Sequence, residues 1–550
     1  MGAIRSFLAA LCITIVSACT SLPSLPSLEQ RTATVALRDT GDTRLGRAVA
    51  ASAARERADG SATTPTREAD PRKRSGLHAL PDGRDSLAAR LVLAEAAQRT
   101  LDIQYYIWRR DVSGMLMFKA ISQAADRGVR VRLLLDDVGT GGLDETLRAL
   151  DAHPGIEVRL FNPFVQRKAR AIGYLTDFAR LNRRMHNKSF TADNQATIVG
   201  GRNIGDEYFD VDETRAFADL DVLAVGAVVT EVSADFDRYW ASESAYPVER
   251  LVPATSDHAI AAIRTEIAAA ELDVGGHIYS EAVREAGFMQ DLLEGRLALD
   301  WAATRMVSDD PAKVLRKPAT VTALPERFEA IFGRPQESLE IVSAYFVPMP
   351  EGTMFLEALA GQGVRIRVLT NSLAATDVVA VHAGYARSRK QLLRAGIELH
   401  EYKPMARTQG RRKSGSSEAA AQSGGSPGSG GSGSAARGGS SRSSLHAKTF
   451  SVDHSRVVIG SFNFDPRSVD LNTELGFVIE SPSLARTVEA AYSRNVPQIA
   501  WQVTLTEDGD LQWTGEEDGV PERLADEPQA GFWRRVGAST FAILPIDWLL

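Results

Sequence analysis

Two segments of the chain carry the same three ionisable side chains at the same spacing. They are His186, Lys188 and Asp193 in MHNKSFTADN, and His446, Lys448 and Asp453 in LHAKTFSVDH. A histidine and a lysine two residues apart leave the same face of an extended strand, where they can grip one phosphate. One copy alone is more often an exposed polar face than a site. Two copies at identical spacing make chance a poor explanation.

Each copy is followed by a polar turn, a short apolar run and a loop of small residues ending in asparagine. The loops contain Gly200, Gly201 and Asn203 in the first copy, and Gly460, Ser461 and Asn463 in the second. Small residues allow backbone amides to approach an anion. The pattern predicts strand, turn, strand and loop twice over.

Brought together, the two copies would surround one phosphoryl group with donors and positive charge. Lys188, Lys448, Asn203 and Asn463 could stabilise the nonbridging oxygens without a metal. One histidine could attack phosphorus while the other donates a proton to the leaving oxygen. The arrangement predicts phosphoryl transfer through a phosphohistidine.

An orienting carboxylate is expected for each imidazole. After the first copy comes FADLDVLAVG and after the second NTELGFVI, in which Asp219 and Glu474 align. These two residues are the best candidates. A metal site is the main chemical rival, but a lysine lies beside each histidine, and neither copy has a His-x-x-x-His or cysteine pair to complete a zinc site. No metal and no cofactor are predicted.

The elements around the copies also repeat. Strands are predicted at Leu101–Trp108, Val129–Leu135 and Gly155–Phe161, and again at Leu339–Val347, Gln362–Leu369 and Gly396–Tyr402. The offset between halves is 363 − 128 = 235 residues at the glycine before the second strand, but 446 − 186 = 260 at the histidines. About 25 extra residues therefore lie between, in the Gly/Ser-rich stretch 408–443. We interpret it as a disordered, tolerated insertion, the alternative being a basic loop that contacts headgroups or gates the site.

The predicted organisation has six parts. They are a signal peptide at 1–18, a flexible tether at 19–76, a first lobe at 77–250, a helical connection at 251–330, a second lobe at 331–500 and a C-terminal extension at 501–550. The extension ends in FAILPIDWLL, which is too short to span a membrane. Packing onto the core is the favoured role, and membrane-surface contact the alternative.

The first residues resemble a bacterial lipoprotein signal. The apolar run Phe7–Val16 is followed by Ser17, Ala18 and Cys19. Cys19 would become the lipidated first residue. Ordinary secretion is the alternative. The only other cysteine, Cys12, lies in the segment to be removed, so no internal disulfide is expected. The predicted location is the bacterial cell envelope, facing the periplasm, with the outer membrane favoured because Thr20 is not an aspartate. The net charge of −7 argues against nucleic acid as a partner.

The doubled His-x-Lys-x(4)-Asp pattern with its following Gly-Gly/Ser-x-Asn segment resembles the phospholipase D superfamily. The resemblance extends from about Leu77 onward and implies two α/β lobes related by a pseudo-twofold axis, each a mixed sheet flanked by helices, with one active site between them. It also implies His186 as the nucleophile and His446 as the general acid.

Within that superfamily, segments such as IQYYIW, GGRNIGDEYF and GSFNFDPRS are similar to bacterial cardiolipin synthases of the third type. The resemblance implies transfer of a phosphatidyl group to phosphatidylglycerol, with phosphatidylethanolamine or phosphatidylglycerol as donor and the membrane surface as partner. Three alternatives share the motif residues: a hydrolytic phospholipase D that releases phosphatidic acid, a superfamily nuclease, and a noncatalytic lipid-binding lipoprotein.

Overall fold

Apolar strands alternate with amphipathic helices along both halves of the chain, the order expected of α/β architecture. The protein is described by a computed structural model over residues 21–58, 74–209, 217–270, 283–315, 329, 331–404, 444–517 and 520–543. The predicted signal peptide, Cys19 and the insertion 408–443 lie outside these residues. Among the residues described, no helix is long and apolar enough to cross a bilayer.

In the described residues of the first lobe there are nine strands. They are β1 Arg74–Leu80, β2 Thr100–Ile107, β3 Arg130–Gly139, β4 Ile156–Phe161, β5 Ser189–Ala192, β6 Ala196–Gly200, β7 Phe217–Ala218, β8 Asp221–Gly226 and β9 Ala245–Pro247. The remaining strands are β10 Asp300–Ser308, β11 Ser338–Ser343, β12 Arg365–Asn371, β13 Glu398–Tyr402, β14 Ser444–Leu445, β15 Lys448–Val452, β16 Arg456–Gly460, β17 Leu475–Glu480, β18 Ala500–Leu505, β19 Leu511–Glu517 and β20 Val520–Leu524.

Fourteen helices are seen in the described residues. In the first half they are α1 Leu28–Arg31, α2 Arg44–Ala58, α3 Gly83–Ala96, α4 Val112–Asp126, α5 Asp144–Asp151, α6 Arg170–Thr176, α7 Phe178–Leu181 and α8 Ala227–Trp240. They continue as α9 Asp257–Ala269, α10 Gly287–Leu293, α11 Met349–Gly361, α12 Val379–Arg394, α13 Pro482–Ile499 and α14 Phe532–Ile543.

Eighteen strands form one continuous mixed sheet with matching order in its two halves. The first half runs β9-β4-β3-β2-β5-β6-β8-β1, and the second runs β18-β13-β12-β11-β15-β16-β17-β10. The halves join where β1 pairs antiparallel with β10, from Arg74 opposite Ala303 to Leu77 opposite Asp300. The matching order is the pseudo-twofold relation that the repeated sequence predicts.

Each lobe has its own hydrophobic core, and a third core is shared between them. In the shared core Val199 and Val222 of the first lobe lie in one cluster with Val457 and Phe477 of the second. All four are almost fully buried. The apolar strands that follow the two motif copies therefore hold the lobes together.

Three predicted boundaries are corrected by the structure. The predicted tether is wrong for residues 21–58, because α2 buries Leu45 and Val49 in the first-lobe core. The guanidinium of buried Arg132 donates to the carbonyl of Thr34 at 2.9 Å, so the extended stretch before α2 is also fastened down. A helix rich in alanine has a composition similar to that of a flexible linker. Composition alone therefore did not predict that this segment is folded.

The other two corrections concern the second lobe. The connection 251–330 is not only helical, because β10 occupies for the second lobe the place that β1 occupies for the first. The sheet also continues past residue 500, since β18 pairs with β13 and leads into β19 and β20. The second lobe therefore extends on both sides of its predicted limits.

Candidate active site

The two motif copies meet because the backbone before each catalytic histidine pairs with the other lobe. The amide of His186 donates to the carbonyl of Thr473 at 2.9 Å, and the amide of Thr473 donates to Arg184 at 2.8 Å. The corresponding contact is made in the other direction. There β14 pairs with β7, and the amide of His446 donates to the carbonyl of Ala218 at 2.8 Å. Each histidine is thus anchored by the opposite lobe.

The predicted carboxylates orient the histidines, and they do so across the lobes. The Nδ1 atom of His186 lies 2.8 Å from Oε2 of Glu474. The Nδ1 atom of His446 lies 2.6 Å from Oδ2 of Asp219. Since a carboxylate accepts, each Nδ1 carries a proton and each Nε2 is left with its lone pair. Both rings therefore present Nε2 for chemistry.

Further contacts hold Glu474 in place. The Ser461 hydroxyl donates to the carboxylate of Glu474. The backbone amide of Glu474 donates to Oδ2 of Asp309 at 2.9 Å. Burial raises the pKa of Glu474, an effect that the Lys188 charge opposes.

Lys188 and Lys448 lie at the centre of the site and are almost completely buried. The Nζ atom of Lys188 donates to the carbonyl of His186 at 2.6 Å, and Lys448 makes the equivalent bond to His446. Burial and the charge of Lys448 lower the pKa of Lys188 to about 7. Burial also lowers the pKa of Lys448, against the influence of Asp219. Two buried cations form a site that favours an anion.

Burial and the nearby lysines keep both imidazoles neutral in the free protein. Burial, followed by Lys188 and Lys448, lowers the pKa of His186 well below its ordinary value. Burial and Lys448 lower the pKa of His446 to about 4, while Asp219 acts in the opposite direction. A neutral imidazole is the form that can attack phosphorus.

Backbone amides hold the side chains of the two asparagines. Oδ1 of Asn203 accepts from the amide of Ile107 at 3.2 Å, and Oδ1 of Asn463 accepts from the amide of Tyr345 at 3.4 Å. With each oxygen engaged by the backbone, each Nδ2 remains a donor for a phosphoryl oxygen. Their contact with a phosphoryl oxygen stays a prediction.

Asp193 and Asp453 do not reach the chemistry, so the prediction that they are catalytic is wrong. Asp193 accepts from the amides of Gln98, Arg99 and Thr100 at 2.7–3.1 Å. Asp453 accepts from three consecutive amides, of residues 336–338, at 2.8–3.1 Å. Both adopt positive φ, near 50°, in the turn after the motif strand. They fasten that turn to the start of the neighbouring strand.

Gly201 makes room for a neighbouring carboxylate. A Cβ atom on Gly201 would overlap the carboxylate of Asp219. The small residue therefore makes room for the side chain that orients His446. In the second lobe the equivalent Ser461 uses its hydroxyl to bind Glu474 instead.

Two tyrosines that sequence reasoning missed pack against the catalytic rings. Tyr106 lies edge-on to His186, with ring centroids 5.0 Å apart, and Tyr208 lies edge-on to His446 at 5.2 Å. Both phenols are buried, which raises the pKa of each. Tyr106 lies in the IQYYIW strand, but nothing in that run distinguishes it from a core residue.

Over the described part of the chain, no group of three or more His, Cys, Asp or Glu side chains is arranged to hold a metal ion.

A duplicated α/β lobe that contributes one histidine and one lysine from each copy to a shared site defines the phospholipase D-like class of proteins. The chain belongs to the family described as "Cardiolipin synthase, PLD-like domain", which it matches over residues 91–240 and 329–495. The superfamily inferred from the motifs is confirmed.

Two relatives and one solved structure match most of the chain. Cardiolipin synthase C of Escherichia coli (strain K12) is 48% identical over 476 residues, which is 86% of this chain and 96% of that protein. An uncharacterized protein of Helicobacter pylori (strain J99) is 30% identical over 86% of this chain and 89% of its own length. The crystal structure of phosphatidylserine synthase from Haemophilus influenzae Rd KW20 matches with a TM-score of 0.53 at 14% identity, over 86% of this chain and 94% of that one. This last likeness confirms the predicted fold class.

Proposed function

We propose that the protein is a phosphatidyltransferase that makes cardiolipin by transferring a phosphatidyl group to phosphatidylglycerol. The observation that carries the proposal is the pair of histidines, each oriented by a carboxylate of the opposite lobe, beside two buried lysines. The similarity to cardiolipin synthase C supports cardiolipin as the product. The proposed donor is phosphatidylethanolamine or a second phosphatidylglycerol.

In the first step, Nε2 of His186 attacks the phosphorus of the donor. His446 enters this step as the imidazolium, having taken up a proton on Nε2 when the anionic donor binds. The bond between phosphorus and the headgroup oxygen breaks, and His446 gives that oxygen its Nε2 proton, so the headgroup leaves with a neutral hydroxyl group. The lysines and the asparagine Nδ2 atoms stabilise the charge on the nonbridging oxygens. The product is a phosphatidyl group bonded to His186.

In the second step, His446 takes the proton from a headgroup hydroxyl of phosphatidylglycerol. The hydroxyl oxygen attacks phosphorus, and the bond to Nε2 of His186 breaks. Cardiolipin leaves and both histidines return to their starting forms. Water in place of the hydroxyl would give phosphatidic acid.

The surroundings of the rings support this assignment of roles. Asp219 raises the pKa of His446 against the effects of burial and Lys448. A bound phosphodiester adds negative charge that offsets the lysines, so His446 is the ring better placed to become protonated.

The test is the product formed by purified protein from labelled phosphatidylglycerol, with and without phosphatidylethanolamine, separated by thin-layer chromatography. We expect cardiolipin from wild type and none from His186→Ala or His446→Ala. The exposed His258→Ala on α9 serves as the matched control and should retain activity. Phosphatidic acid as the sole product would replace the transferase proposal with a hydrolase. A stable phosphoenzyme in His186→Ala would move the nucleophile to His446.

The proposed setting is the cell envelope, with the protein anchored through a lipid on Cys19 and facing the periplasm. The apolar run before Val-Ser-Ala-Cys supports it. Metabolic labelling with a palmitate analogue should mark wild type but not Cys19→Ser. Equal labelling of both would contradict the anchor.

A further inference from the structure

An exposed carboxylate lies beside the active site without taking part in the chemistry proposed above. Asp377 lies in the loop between β12 and α12. Its two carboxylate oxygens accept from the hydroxyl of Tyr345 at 2.9 and 2.8 Å, the one donor to them among the described residues. Burial raises the pKa of Tyr345, and the charge of Asp377 acts in the same direction, so the phenol keeps its proton. A neutral group therefore fixes the carboxylate without cancelling its charge.

Three observations place Asp377 on the general-acid side of the site. The tyrosine that holds it donates its own backbone amide to Oδ1 of Asn463 at 3.4 Å. Burial lowers the pKa of Lys448, and Asp377 is among the carboxylates whose charges oppose this effect. Burial raises the pKa of Tyr208, with a smaller contribution in the same direction from Asp377. The ring of Tyr208 is the one that packs edge-on against His446.

The loop that carries Asp377 is fastened by the C-terminal helix. The guanidinium of Arg534 on α14 donates to three carbonyls of this loop, those of Leu373, Ala374 and Thr376, at 2.7–3.0 Å. A side chain on a loop held in this way loses little conformational freedom when it binds a ligand. The loop therefore presents the carboxylate in a fixed position.

The corresponding position of the first lobe carries no charge. Asp136 and Asn371 are equivalent, because each accepts the backbone amide of the residue before a motif histidine, at 2.8 and 3.0 Å. The next helix begins eight residues later in both lobes, since 144 − 136 = 8 and 379 − 371 = 8. Six residues after the equivalent pair, the first lobe has Gly142 and the second has Asp377. At this position, only the half-site of the general acid has a negative charge.

We propose that Asp377 binds the ammonium group of the donor headgroup and so selects phosphatidylethanolamine as the donor. The inference rests on the proposed function, in which His446 gives its proton to the leaving headgroup oxygen. Two carbon atoms separate that oxygen from the ammonium nitrogen of ethanolamine, so the ammonium group stays on the side of His446. A carboxylate there attracts this cation, whereas the glycerol headgroup of phosphatidylglycerol has no charge for it to attract.

The same carboxylate does not compete with the phosphoryl group for the lysines. Asp377 is exposed, whereas Lys188 and Lys448 are almost completely buried. Its charge therefore lies on the solvent side of the two cations, where a headgroup leaves, and the lysines remain available to the nonbridging oxygens.

Two donors of the same shape test the proposal on the purified full-length protein. One is phosphatidylethanolamine, and the other is phosphatidyl-1-propanol, in which a methyl group replaces the ammonium group. Asp377→Asn removes the charge but keeps an oxygen that can accept from Tyr345. Asp510→Asn is the matched control, because Asp510 is an exposed carboxylate of the second lobe, 3.3 Å from Lys390. Release of each labelled headgroup is measured with phosphatidylglycerol as the acceptor.

We expect kcat/KM of wild type and of Asp510→Asn to favour phosphatidylethanolamine by about fivefold or more, the range of a partly exposed ion pair. Asp377→Asn should lose this preference through slower use of phosphatidylethanolamine, with use of the propanol donor within about twofold of wild type. An unchanged preference in Asp377→Asn, or no preference in wild type, would overturn the proposal. Equal losses on both donors would also overturn it and assign Asp377 to the position of Tyr345.

The products separate this inference from the proposed function. If the preference depends on Asp377 but wild type forms phosphatidic acid and no cardiolipin, the headgroup contact stands and the transferase proposal fails. If wild type forms cardiolipin and Asp377→Asn discriminates between the donors as wild type does, the transferase proposal stands and the headgroup contact fails.

Discussion

Each catalytic imidazole shares its Nδ1 proton with a carboxylate of the other lobe. This arrangement sets the tautomer of both rings and places the lone pair of each on Nε2, the atom that reacts with phosphorus or takes a proton. Glu474 and Asp219 therefore act as positioning residues, and their removal should change the reaction rate more than substrate binding.

Replacing either carboxylate by its amide tests this role. Because the amide can also stabilise the wrong tautomer, we expect Glu474→Gln and Asp219→Asn each to lower kcat by about 100-fold or more with little change in KM. Initial rates on mixed micelles measure both constants. Glu480→Gln, at an exposed position near the end of β17, is the control and should remain near wild type. A change confined to KM would contradict the positioning role.

The lowered pKa of Lys188 predicts a pH dependence. Lys188 must be protonated to bind a phosphoryl oxygen, and its pKa in the free protein is about 7. As pH rises through this value the free protein loses the charge, so kcat/KM should fall. A bound phosphodiester favours the protonated form, so the fall in kcat should occur at higher pH. The two pH profiles measured on the same substrate check this. Alkaline limbs at the same pH in both would contradict it.

At the scale of elements, the motif aspartates connect the strand that carries each histidine and lysine to its neighbour. Asp193 joins the turn between β5 and β6 to the start of β2, and Asp453 joins the turn between β15 and β16 to the start of β11. These bonds fix the turn of each half-site against the neighbouring strand.

Removing one of these carboxylates should reduce stability more than chemistry. Asp193→Ala leaves three amides without their charged acceptor, so we expect it to lower the free energy of unfolding by about 2–4 kcal/mol. Urea denaturation measures this change, and active-site titration gives the rate per folded molecule. Asp453→Ala is the symmetry-related comparison. A rate per folded molecule as low as that of His186→Ala would restore Asp193 to the chemistry.

The elements and the site differ in how far sequence could predict them. The strands and the histidine, lysine and asparagine positions follow from local periodicity and from the duplication. The pairing of each histidine with a carboxylate of the other lobe does not follow from local sequence, because His186 and Glu474 are 288 residues apart and His446 and Asp219 are 227 apart. The sequence does not show the role of Asp193 either. A carboxylate beside a histidine and a lysine suggests catalysis, whereas in the structure Asp193 accepts hydrogen bonds from backbone amides.

At the scale of the whole molecule, the two lobes share one sheet, one apolar core and one site. The insertion 408–443 lies outside the described residues, between β13 and β14, where the first lobe has a shorter connection. The sequence predicts that it is dispensable.

Deleting residues 411–435 removes 25 residues and restores the spacing of the first half. Because the first lobe positions His186 without such a stretch, we expect cardiolipin formation within twofold of wild type and an unchanged melting temperature. Product assay and thermal denaturation measure the two. A tenfold loss of activity at unchanged melting temperature would favour the headgroup-contacting or gating loop instead.

The crossed carboxylates also have a consequence for the order in which the protein becomes active. When synthesis has reached Asp219, the chain contains His186 but not Glu474, the carboxylate that orients it. It likewise contains Asp219 but not His446, the ring that Asp219 orients. Neither half can begin phosphoryl chemistry until Glu474, about six-sevenths of the way along the chain, has been synthesised and folded into place. Catalytic competence thus arrives in a single late event, and an interrupted or truncated chain is inert toward the phospholipids around it.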